Sequence, residues 1–139
     1  MRISNFTPDH QDAVISLWDR CGLLRSWNDP ALDIQRKGAD RNGCFLLGHV
    51  DQRLVASIMV GYDGHRGTIN YLAVDPDFSG QGYGKTLMIA AEDFLKSIGC
   101  PKVQLCVRLD NHAAVGFYSD LGYEIQPVHF FGKRLIADE

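Results

Sequence analysis

In the first half of the chain, apolar residues recur either at every second position, as in a strand, or at every third or fourth position, as in a helix. Each such stretch predicts one element. Alternation over residues 2–6 predicts a strand. Thr7-Pro8-Asp9 then supplies a helix start, with an N-cap, a proline in the first turn and an acid, and helical spacing continues to Gly22. A second short helix and the two strands of a hairpin are expected next, over residues 30–37, 44–50 and 54–62.

The second half of the chain continues with the same kinds of pattern. A strand is expected over residues 68–74, and an apolar helical face begins at Leu87 and closes at Gly99. The remaining pattern predicts a strand, a short helix and two final strands, over residues 102–108, 111–121, 123–126 and 129–135. The sequence therefore predicts an α/β protein with a mixed, mostly antiparallel sheet of about six or seven strands, flanked by about four helices.

Composition narrows the function classes. A chain of 139 residues with 45% hydrophobic and 22% charged positions predicts a single globular domain over residues 1–139. The net charge of −3 and the absence of a Lys/Arg cluster argue against nucleic acid as a partner. Since the chain has no apolar run of about 20 residues, no signal peptide and no C-x-x-C pair, we expect a cytoplasmic protein with reduced thiols and no membrane span. Its scattered histidines predict no metal site.

The most informative segment is Gly80-Gln81-Gly82-Tyr83-Gly84-Lys85-Thr86, which follows the strand that ends at Val74 and precedes the helix expected from Leu87. A glycine-rich turn in this position directs several backbone N–H groups at one point. The N-terminus of the helix adds partial positive charge there. The segment therefore predicts a site for a phosphate or pyrophosphate group.

Three types of phosphate-binding loop share features with this segment. The nucleotide P-loop, G-x-x-x-x-G-K-[ST], matches at Gly84-Lys85-Thr86, but Ser79 replaces its first glycine and no apolar run that ends in an acidic metal ligand follows downstream. The dinucleotide fingerprint, G-x-G-x-x-G, has Lys85 at its third glycine. An acetyl-CoA loop, [R/Q]-x-x-G-x-[G/A], matches at Gly82-Tyr83-Gly84 after a short acidic lead-in over residues 74–78, and departs at Ser79. The loop alone does not decide between them.

A second motif favours the acetyl-CoA loop over the other two types. Residues 111–123, Asn-His-Ala-Ala-Val-Gly-Phe-Tyr-Ser-Asp-Leu-Gly-Tyr, resemble N-x-x-A-x-x-[FL]-Y-x-x-x-G-[FY], a signature of the GNAT family of N-acetyltransferases. This motif begins 29 residues after Gly82, with a helix and a strand between, which is the family's order. The resemblance covers about residues 1–127. The chain is also similar to small bacterial YpeA-type acetyltransferases at residues 27–30, 61–67 and 132–136.

The resemblance implies the GNAT fold, acetyl-CoA as acetyl donor, and direct attack by a primary amine in a ternary complex. Backbone N–H groups from Gly80 to Lys85 would hold the pyrophosphate. Ser79 replaces the Arg or Gln that the family carries, which would either weaken cofactor binding or be covered by the charge of Lys85. Tyr118 matches the family's general acid, which protonates the departing CoA thiolate. Asn111 is expected either to cap its helix alone or, as the matching Asn does in the family, also to touch the pantetheine arm. The expected cofactor-binding residues are Leu72, Ala73, Val74, Ser79, Gly80, Gln81, Gly82, Tyr83, Gly84, Lys85, Thr86 and Asn111.

The general base and the acceptor stay open at this stage. Some relatives carry a glutamate where this chain has Cys106, and a cysteine nucleophile there is a minor alternative. The other candidates for the base are a relayed water and four side chains, Asp63, His65, Tyr71 and His129. Acids beside aromatic rings suit a cationic amine, either a small molecule or a peptide. The acceptor site is therefore expected at Trp27, Asp29, Asp33, Tyr62, Asp63 and His65.

Two further possibilities remain from the sequence. An acyl-CoA-binding or regulatory module without activity is the rival to an enzyme, because Ser79 and Cys106 both depart from the family's pattern. A homodimer is compatible with the final strand, since an edge strand can pair with a second copy.

Overall fold

The computed structural model describes residues 1–138. Within them lie five strands, four α-helices and two short 3₁₀ turns, the latter over Pro8–His10 and Pro76–Phe78. The elements in chain order are β1 (Arg2–Asn5), α1 (Gln11–Arg20), α2 (Pro30–Gly38), β2 (Cys44–Val50), β3 (Arg53–Tyr62), β4 (Gly67–Val74), α3 (Tyr83–Ser97), β5 (Val103–Gln104) and α4 (His112–Asp120).

The strands form one mixed sheet in the order β1-β2-β3-β4-β5, which is also their order along the chain. The first four strands pair antiparallel, and β4 pairs parallel with β5. That parallel ladder consists of two residue pairs, Gly67 with Val103 and Thr68 with Gln104. Beyond Thr68 the two segments part, which leaves an opening beside the second half of β4.

Helices cover both faces of the sheet. The first face carries α1 and α2, and α1 buries Val14, Leu17 and Trp18, whose spacing of three and four residues places them on one side of the helix. The second face carries α3, which buries Leu87, Met88, Ala91 and Leu95, with α4 packed beside it. Each fully buried large apolar side chain contributes about 1.5–3 kcal/mol to folding, so these two clusters stabilise the layered arrangement.

A β-bulge interrupts the pairing of β3 with β4 at the edge of the opening. Ser57 lies opposite Ala73 and Met59 lies opposite Asn70, so Tyr71 and Leu72 together face a single residue of β3. Tyr71 has a φ of +52°, a left-handed conformation that a bulky residue seldom adopts. Its ring stacks on Trp18 with centroids 3.7 Å apart, and this packing holds the unusual backbone in place.

The structure departs most from the sequence prediction at the start of α3, in β5 and in the tail. α3 begins at Tyr83 instead of Leu87, because Gly82 takes a left-handed conformation and serves as the N-cap inside the glycine-rich segment. The strand expected over residues 102–108 shortens to β5. The two strands expected over residues 123–126 and 129–135 do not form, so the sheet has five strands within residues 1–138 and the prediction of six or seven was wrong.

The sequence of the tail explains the last difference. Pro127 lacks a backbone donor and follows directly on the first expected strand, and Phe130-Phe131 breaks the period-two alternation that would give the second strand one buried face. The tail instead contacts the rest of the protein through side chains near each of its ends.

Other expected features concern membranes, metals and thiols. No helix within residues 1–138 has the length and apolarity needed to cross a bilayer. The described residues contain no group of three or more His, Cys, Asp and Glu side chains arranged to hold a metal ion. The four cysteines are free thiols, of which Cys21, Cys44 and Cys100 are half-buried and Cys106 is exposed.

Candidate active site

The glycine-rich segment forms the turn into α3. Gly80 and Gly82 have φ values of +79° and +80°, which favour glycine because a side chain there would be strained. Gly82 offers no side-chain cap to the helix. The backbone N–H groups of Tyr83, Gly84 and Lys85 consequently find no acceptor among residues 1–138. Three donors at the positive end of a 15-residue helix therefore face outward and are available to an anion.

A buried carboxylate anchors this turn to the rest of the fold. Asp75 directly follows β4, and its side chain is 1% exposed. Its Oδ2 accepts hydrogen bonds from Arg20 and from Arg53, each at 3.0 Å, so α1 and β3 both hold the start of the turn. Its Oδ1 accepts from the backbone N–H of Asp77 at 3.0 Å. Burial opposes ionisation, but the hydrogen bond from Asp77 and the two guanidinium groups outweigh it and hold the pKa of Asp75 below its usual range.

Ser79 acts within the turn. Its hydroxyl donates to the carbonyl of Pro76 at 3.0 Å and closes the 3₁₀ turn that precedes the glycines. Lys85, in the first turn of α3, is exposed and makes no hydrogen bond or ion pair with residues 1–138. Thr86 points its hydroxyl back to the carbonyl of Gly82 at 3.0 Å. Lys85 is thus the one predicted cofactor residue in the turn whose side-chain charge is available to a phosphate.

Gly84 brings α4 against the start of α3. A methyl group built at Gly84 would lie 3.2 Å from the ring of Phe117, so glycine permits this close approach. Tyr118 follows Phe117, and the two rings meet edge to face with centroids 5.0 Å apart. Asn111 is the N-cap of α4, and its side chain accepts from the N–H of Ala114 at 3.1 Å.

The phenol of Tyr118 is half-buried, and its hydroxyl has no hydrogen-bond partner within residues 1–138. Burial raises its pKa to about 12. The group therefore stays protonated at neutral pH and can donate a hydrogen bond. Tyr123 lies beside it with ring centroids 5.8 Å apart, but the hydroxyl of Tyr123 already donates to Glu92 at 2.7 Å.

The last residues of β4 border the opening, and their side chains lie alternately on the two faces of the sheet. Leu72 and Val74 pack with the α3 layer, whereas Ala73 is buried against the α1 layer. Because of the bulge, the backbone at Leu72 leaves the regular ladder where β4 and β5 have parted. The predicted cofactor residues of β4 and of the turn thus border the same opening.

The predicted acceptor residues fall into two groups, and the first lies at the end of β4 that leads into the turn. Trp27 is exposed, and the guanidinium of Arg108 lies 5.4 Å from the centre of its ring. Asp29 caps α2 by accepting from the N–H of Ala31 at 2.9 Å, and its own N–H donates to Asp138. The carboxylate of Asp29 therefore has a structural role in helix capping.

The second group lies at the turn between β3 and β4, at the other end of β4, which is about 23 Å long. Asp63 accepts from the N–H groups of His65 and Arg66, both at 2.7 Å, and these bonds, that from Arg66 foremost, hold its pKa below the usual range. The hydroxyl of Tyr62 donates to the carbonyl of Gly64. The structure does not bring Tyr62, Asp63 and His65 together with Trp27 and Asp29.

A polar chain lies between these two groups, at the bulge. The indole N–H of Trp18 donates to Ser57 at 2.9 Å, and Ser57 donates to the carbonyl of Tyr71 at 2.9 Å. The hydroxyl of Tyr71 donates to Asp33 of α2 at 2.7 Å. Asp33 and Tyr71 therefore place a carboxylate and a phenol where β4 bulges, close to the opening.

The candidate general bases differ in how readily they could accept a proton. Burial, reinforced by the hydrogen bond to Asp33, raises the pKa of Tyr71 well above its usual value, so Tyr71 remains a neutral phenol at neutral pH. Asp63 is a weakened base because its pKa is lowered. His65 and His129 are exposed. Cys106 is also exposed, and no histidine within residues 1–138 hydrogen-bonds to it.

Sequence reasoning missed the residues that hold the site in place. The sequence pattern indicated Asp75 only as part of the acidic stretch before the glycines, and nothing in the sequence indicates that Arg20 and Arg53 both bind it. Ser57 lies in an apolar strand, where a lone hydroxyl is a weak signal for a partner. Arg108 and Asp138 reach the α1–α2 region only through tertiary contacts.

Comparison with known proteins gives a matching family model and a similar full-length sequence. A family model described as the acetyltransferase (GNAT) family matches residues 9–123. A protein of Pectobacterium atrosepticum named as an acetyltransferase is 49% identical over 138 residues, which cover 99% of this chain and 98% of that protein.

Solved structures show the same fold at lower identity. The aminoglycoside 6'-N-acetyltransferase AAC(6')-IG of Acinetobacter haemolyticus superposes with a TM-score of 0.78 at 21% identity, over 98% of this chain and 100% of that one. AAC(6')-Iy in complex with the bisubstrate analogue CoA-S-monomethyl-acetylneamine gives a TM-score of 0.78 at 18% identity, over 96% and 97% of the two chains.

Proposed function

The chain belongs to the acetyltransferase (GNAT) family and is an acyltransferase, and from that premise we propose that it moves the acetyl group of acetyl-CoA to a primary amine by direct attack in a ternary complex. Its free thiols fit a reducing compartment, and we place the enzyme in the cytoplasm.

The turn into α3 is the proposed site for the pyrophosphate of acetyl-CoA. The single observation that carries the proposal is the set of three backbone N–H groups, at Tyr83, Gly84 and Lys85, that have no acceptor within residues 1–138. They lie at a helix N-terminus beside the opening between β4 and β5, so an anion bound there would have room for an extended chain along β4. Lys85 supplies the charge that Ser79 lacks.

The bulge of β4 and α4 flank the place where the thioester would react. Acetyl-CoA supplies the acetyl group in activated form. As the amine nitrogen bonds to the acetyl carbon and the carbon–sulfur bond breaks, Tyr118 donates the hydrogen bond that stabilises the departing sulfur. Its raised pKa keeps the phenol protonated for this task. Asn111 caps α4 and so holds Tyr118 in position.

The acceptor amine is proposed to approach from the α1–α2 side of the bulge. Asp33 offers a carboxylate there, and Tyr71 orients it through the 2.7 Å hydrogen bond. Trp27 and Asp29 form the outer part of the same side. Tyr62, Asp63 and His65 would contact an acceptor only if it extended along α2 to the far end of β4.

Replacing Tyr118 with phenylalanine tests the proposal, with release of CoA thiol measured over a panel of primary amines. Since the hydroxyl has no partner within residues 1–138, the fold should be unaffected. We expect kcat to fall about 10²-fold or more with KM for acetyl-CoA little changed. Tyr123→Phe is the matched control, since it removes a neighbouring phenol that is already bonded to Glu92, and it should retain most of kcat. Equal rates for wild type and Tyr118→Phe would refute the role of Tyr118.

A second candidate function is an acyl-CoA-binding module without transferase activity. Two observations favour it. The hydroxyl of Ser79 is hydrogen-bonded within the turn, and an exposed cysteine, Cys106, stands where some relatives carry a glutamate. Tight binding of acetyl-CoA with no turnover across amines, diamines, aminoglycosides and peptides would favour this reading.

A further inference from the structure

A groove with positively charged walls lies between α2 and the tail of the chain, and its volume is about 470 Å³. Three cations and two apolar side chains line it: Arg36, Lys133, Arg134, Leu135 and Ile136. The first of these belongs to α2, and the other four are consecutive in the tail. Within residues 1–138 no acidic side chain lines the groove, so its walls carry charge of one sign.

An acid beside these cations is bound within the fold. Asp138 accepts from Arg36 at 2.8 Å and from the backbone N–H of Asp29 at 2.9 Å, and its carboxylate is closed off from solvent. These two bonds, that from Arg36 foremost, hold the pKa of Asp138 below its usual range. The side chains of Arg36 and Arg134 remain 47% and 44% exposed, so both guanidinium groups still face the groove side of the protein.

Lys133 adds a charge with no partner in the part of the chain that the structure describes. Its side chain is exposed and makes no hydrogen bond or ion pair with residues 1–138. Arg134 donates to Asn28 at 2.7 Å, which occupies one of the five N–H donors of a guanidinium group. The solvent-facing charge of the groove is therefore positive, and a carboxylate or a phosphate is the group that matches it.

Arg36 connects the groove with the acceptor side of the candidate active site. Its Nη1 lies 3.5 Å from Oδ1 of Asp33, and Oδ2 of Asp33 accepts from the hydroxyl of Tyr71 at the bulge of β4. Asp33 and Arg36 are three residues apart on α2, which corresponds to about 4.5 Å along the helix axis. A short molecule can therefore place an amine at Asp33 and an anionic group in the groove.

We propose that the acceptor is a primary amine that carries an anionic group, a carboxylate or a phosphate, and that the groove binds this anion while Asp33 holds the amine. This assignment rests on the acetyl transfer proposed above and narrows its acceptor to molecules with opposite charges at their two ends. An acceptor with a second ammonium group would be repelled by the three cations of the groove.

Turnover of four short amines tests the assignment. Propylamine has a neutral second end, β-alanine a carboxylate, phosphoethanolamine a phosphate and diaminopropane a second ammonium. We expect kcat/KM to be about tenfold or more higher for an anionic acceptor than for propylamine, and lowest for diaminopropane. The ratio between β-alanine and phosphoethanolamine identifies which anion the groove prefers. Propylamine or diaminopropane turned over as well as the better anionic acceptor would overturn the proposal.

Lys133→Glu tests the groove itself, because this side chain has no partner within residues 1–138 and can change without loss of fold. KM for the anionic acceptors should rise about tenfold, while KM for propylamine and for acetyl-CoA should stay the same. Lys96→Glu is the matched control, since Lys96 is an exposed lysine of α3 and its replacement changes the net charge equally. Equal effects on propylamine and on the anionic acceptors would overturn the proposal. A raised KM for acetyl-CoA would show that the groove serves the phosphates of the cofactor and would overturn it as well.

Binding separates this assignment from the transfer reaction on which it rests. Absence of turnover with all four amines would contradict the acetyl transfer, and calorimetric titration with β-alanine and with phosphoethanolamine then tests the groove alone. Binding to wild type that weakens about tenfold in Lys133→Glu and is kept in Lys96→Glu would support the groove as an anion site. Absence of binding to wild type, or equal binding to wild type and Lys133→Glu, would overturn it.

Discussion

Asparagine in place of Asp75 should loosen the turn that is proposed to bind acetyl-CoA. Arg20 from α1 and Arg53 from β3 both donate to Oδ2 of this buried carboxylate. Asparagine keeps an oxygen for the N–H of Asp77 but removes the charge that both guanidinium groups share. The substitution therefore removes the electrostatic link between the turn and the two elements beneath it while preserving the shape of the side chain.

The magnitude follows from these contacts. A hydrogen bond to a charged group contributes about 1.5–3 kcal/mol, and there are two of them. The side chains of Arg20 and Arg53 are 38% and 52% exposed, so solvent screens the pairs and rehydrates both cations after the change. We therefore expect a loss of about 2–3 kcal/mol in the free energy of unfolding, and weaker binding of acetyl-CoA because the turn is less well held.

Urea denaturation of wild type and Asp75→Asn measures this loss, and its pH dependence checks the cause. The pKa of Asp75 is lower in the folded state than in the unfolded one, so its stabilisation is complete above the unfolded pKa of about 3.9 and is lost as the pH falls through the folded value. The gap between the two proteins should be constant near neutral pH and close below about pH 4.

Asp77→Asn is the matched control for the same turn. The side chain of Asp77 is 76% exposed and contacts Arg53 at 3.6 Å, so its replacement should change the free energy of unfolding by about 0.5 kcal/mol or less. An Asp75→Asn protein as stable as wild type at neutral pH, or a gap that does not change with pH, would show that the ionised carboxylate of Asp75 does not hold the turn.

Three further outcomes are expected. Gly82→Ala should lower the free energy of unfolding by about 1–2 kcal/mol in a thermal melt, because a φ of +80° disfavours a side chain although the space is open. Gly38→Ala is the control, at a helical glycine with open space and no positive φ, and it should be neutral or stabilising in the same measurement. Ser57→Ala leaves the buried indole N–H of Trp18 without a partner and should cost about 1–3 kcal/mol in urea denaturation. Tyr118 should remain protonated up to about pH 12, so its ionisation should cause no fall in kcat up to pH 10. A fall in kcat below pH 10 that is seen in wild type and is absent in Tyr118→Phe would contradict the raised pKa.

Much of the fold follows from local patterns. The strands β1 to β4 and the helices α1 and α2 lie within a few residues of their predicted places. Each helix has one apolar face with helical spacing, and the central strand β3 is a continuous apolar run that is buried on both faces. Asn111 caps α4 as its position suggested, since a cap depends on neighbouring residues alone. The start of α3 was misplaced because a glycine-rich segment predicts a turn, whereas here its second half already belongs to the helix.

Features that depend on distant residues were not predictable. The pairing of β4 with β5 ends after two residues, although the apolar alternation continues to Val107. The tail has strand-forming residues but lies against α2 and α3 through Asp138, Arg134 and Tyr123. At the site, the motifs indicated the turn and Tyr118, whereas the anchoring of the turn by Asp75 and the chain from Trp18 to Asp33 depend on contacts between four separate elements.

Calorimetric titration of the purified protein with acetyl-CoA, with Mg-ATP as the control ligand, directly tests whether the turn into α3 binds acetyl-CoA. We expect micromolar binding of acetyl-CoA and none of Mg-ATP, with binding weakened in Gly82→Ala, where the donors of the turn are displaced. Binding of Mg-ATP, or no binding of acetyl-CoA, would contradict the assignment of the turn into α3 as the acetyl-CoA site.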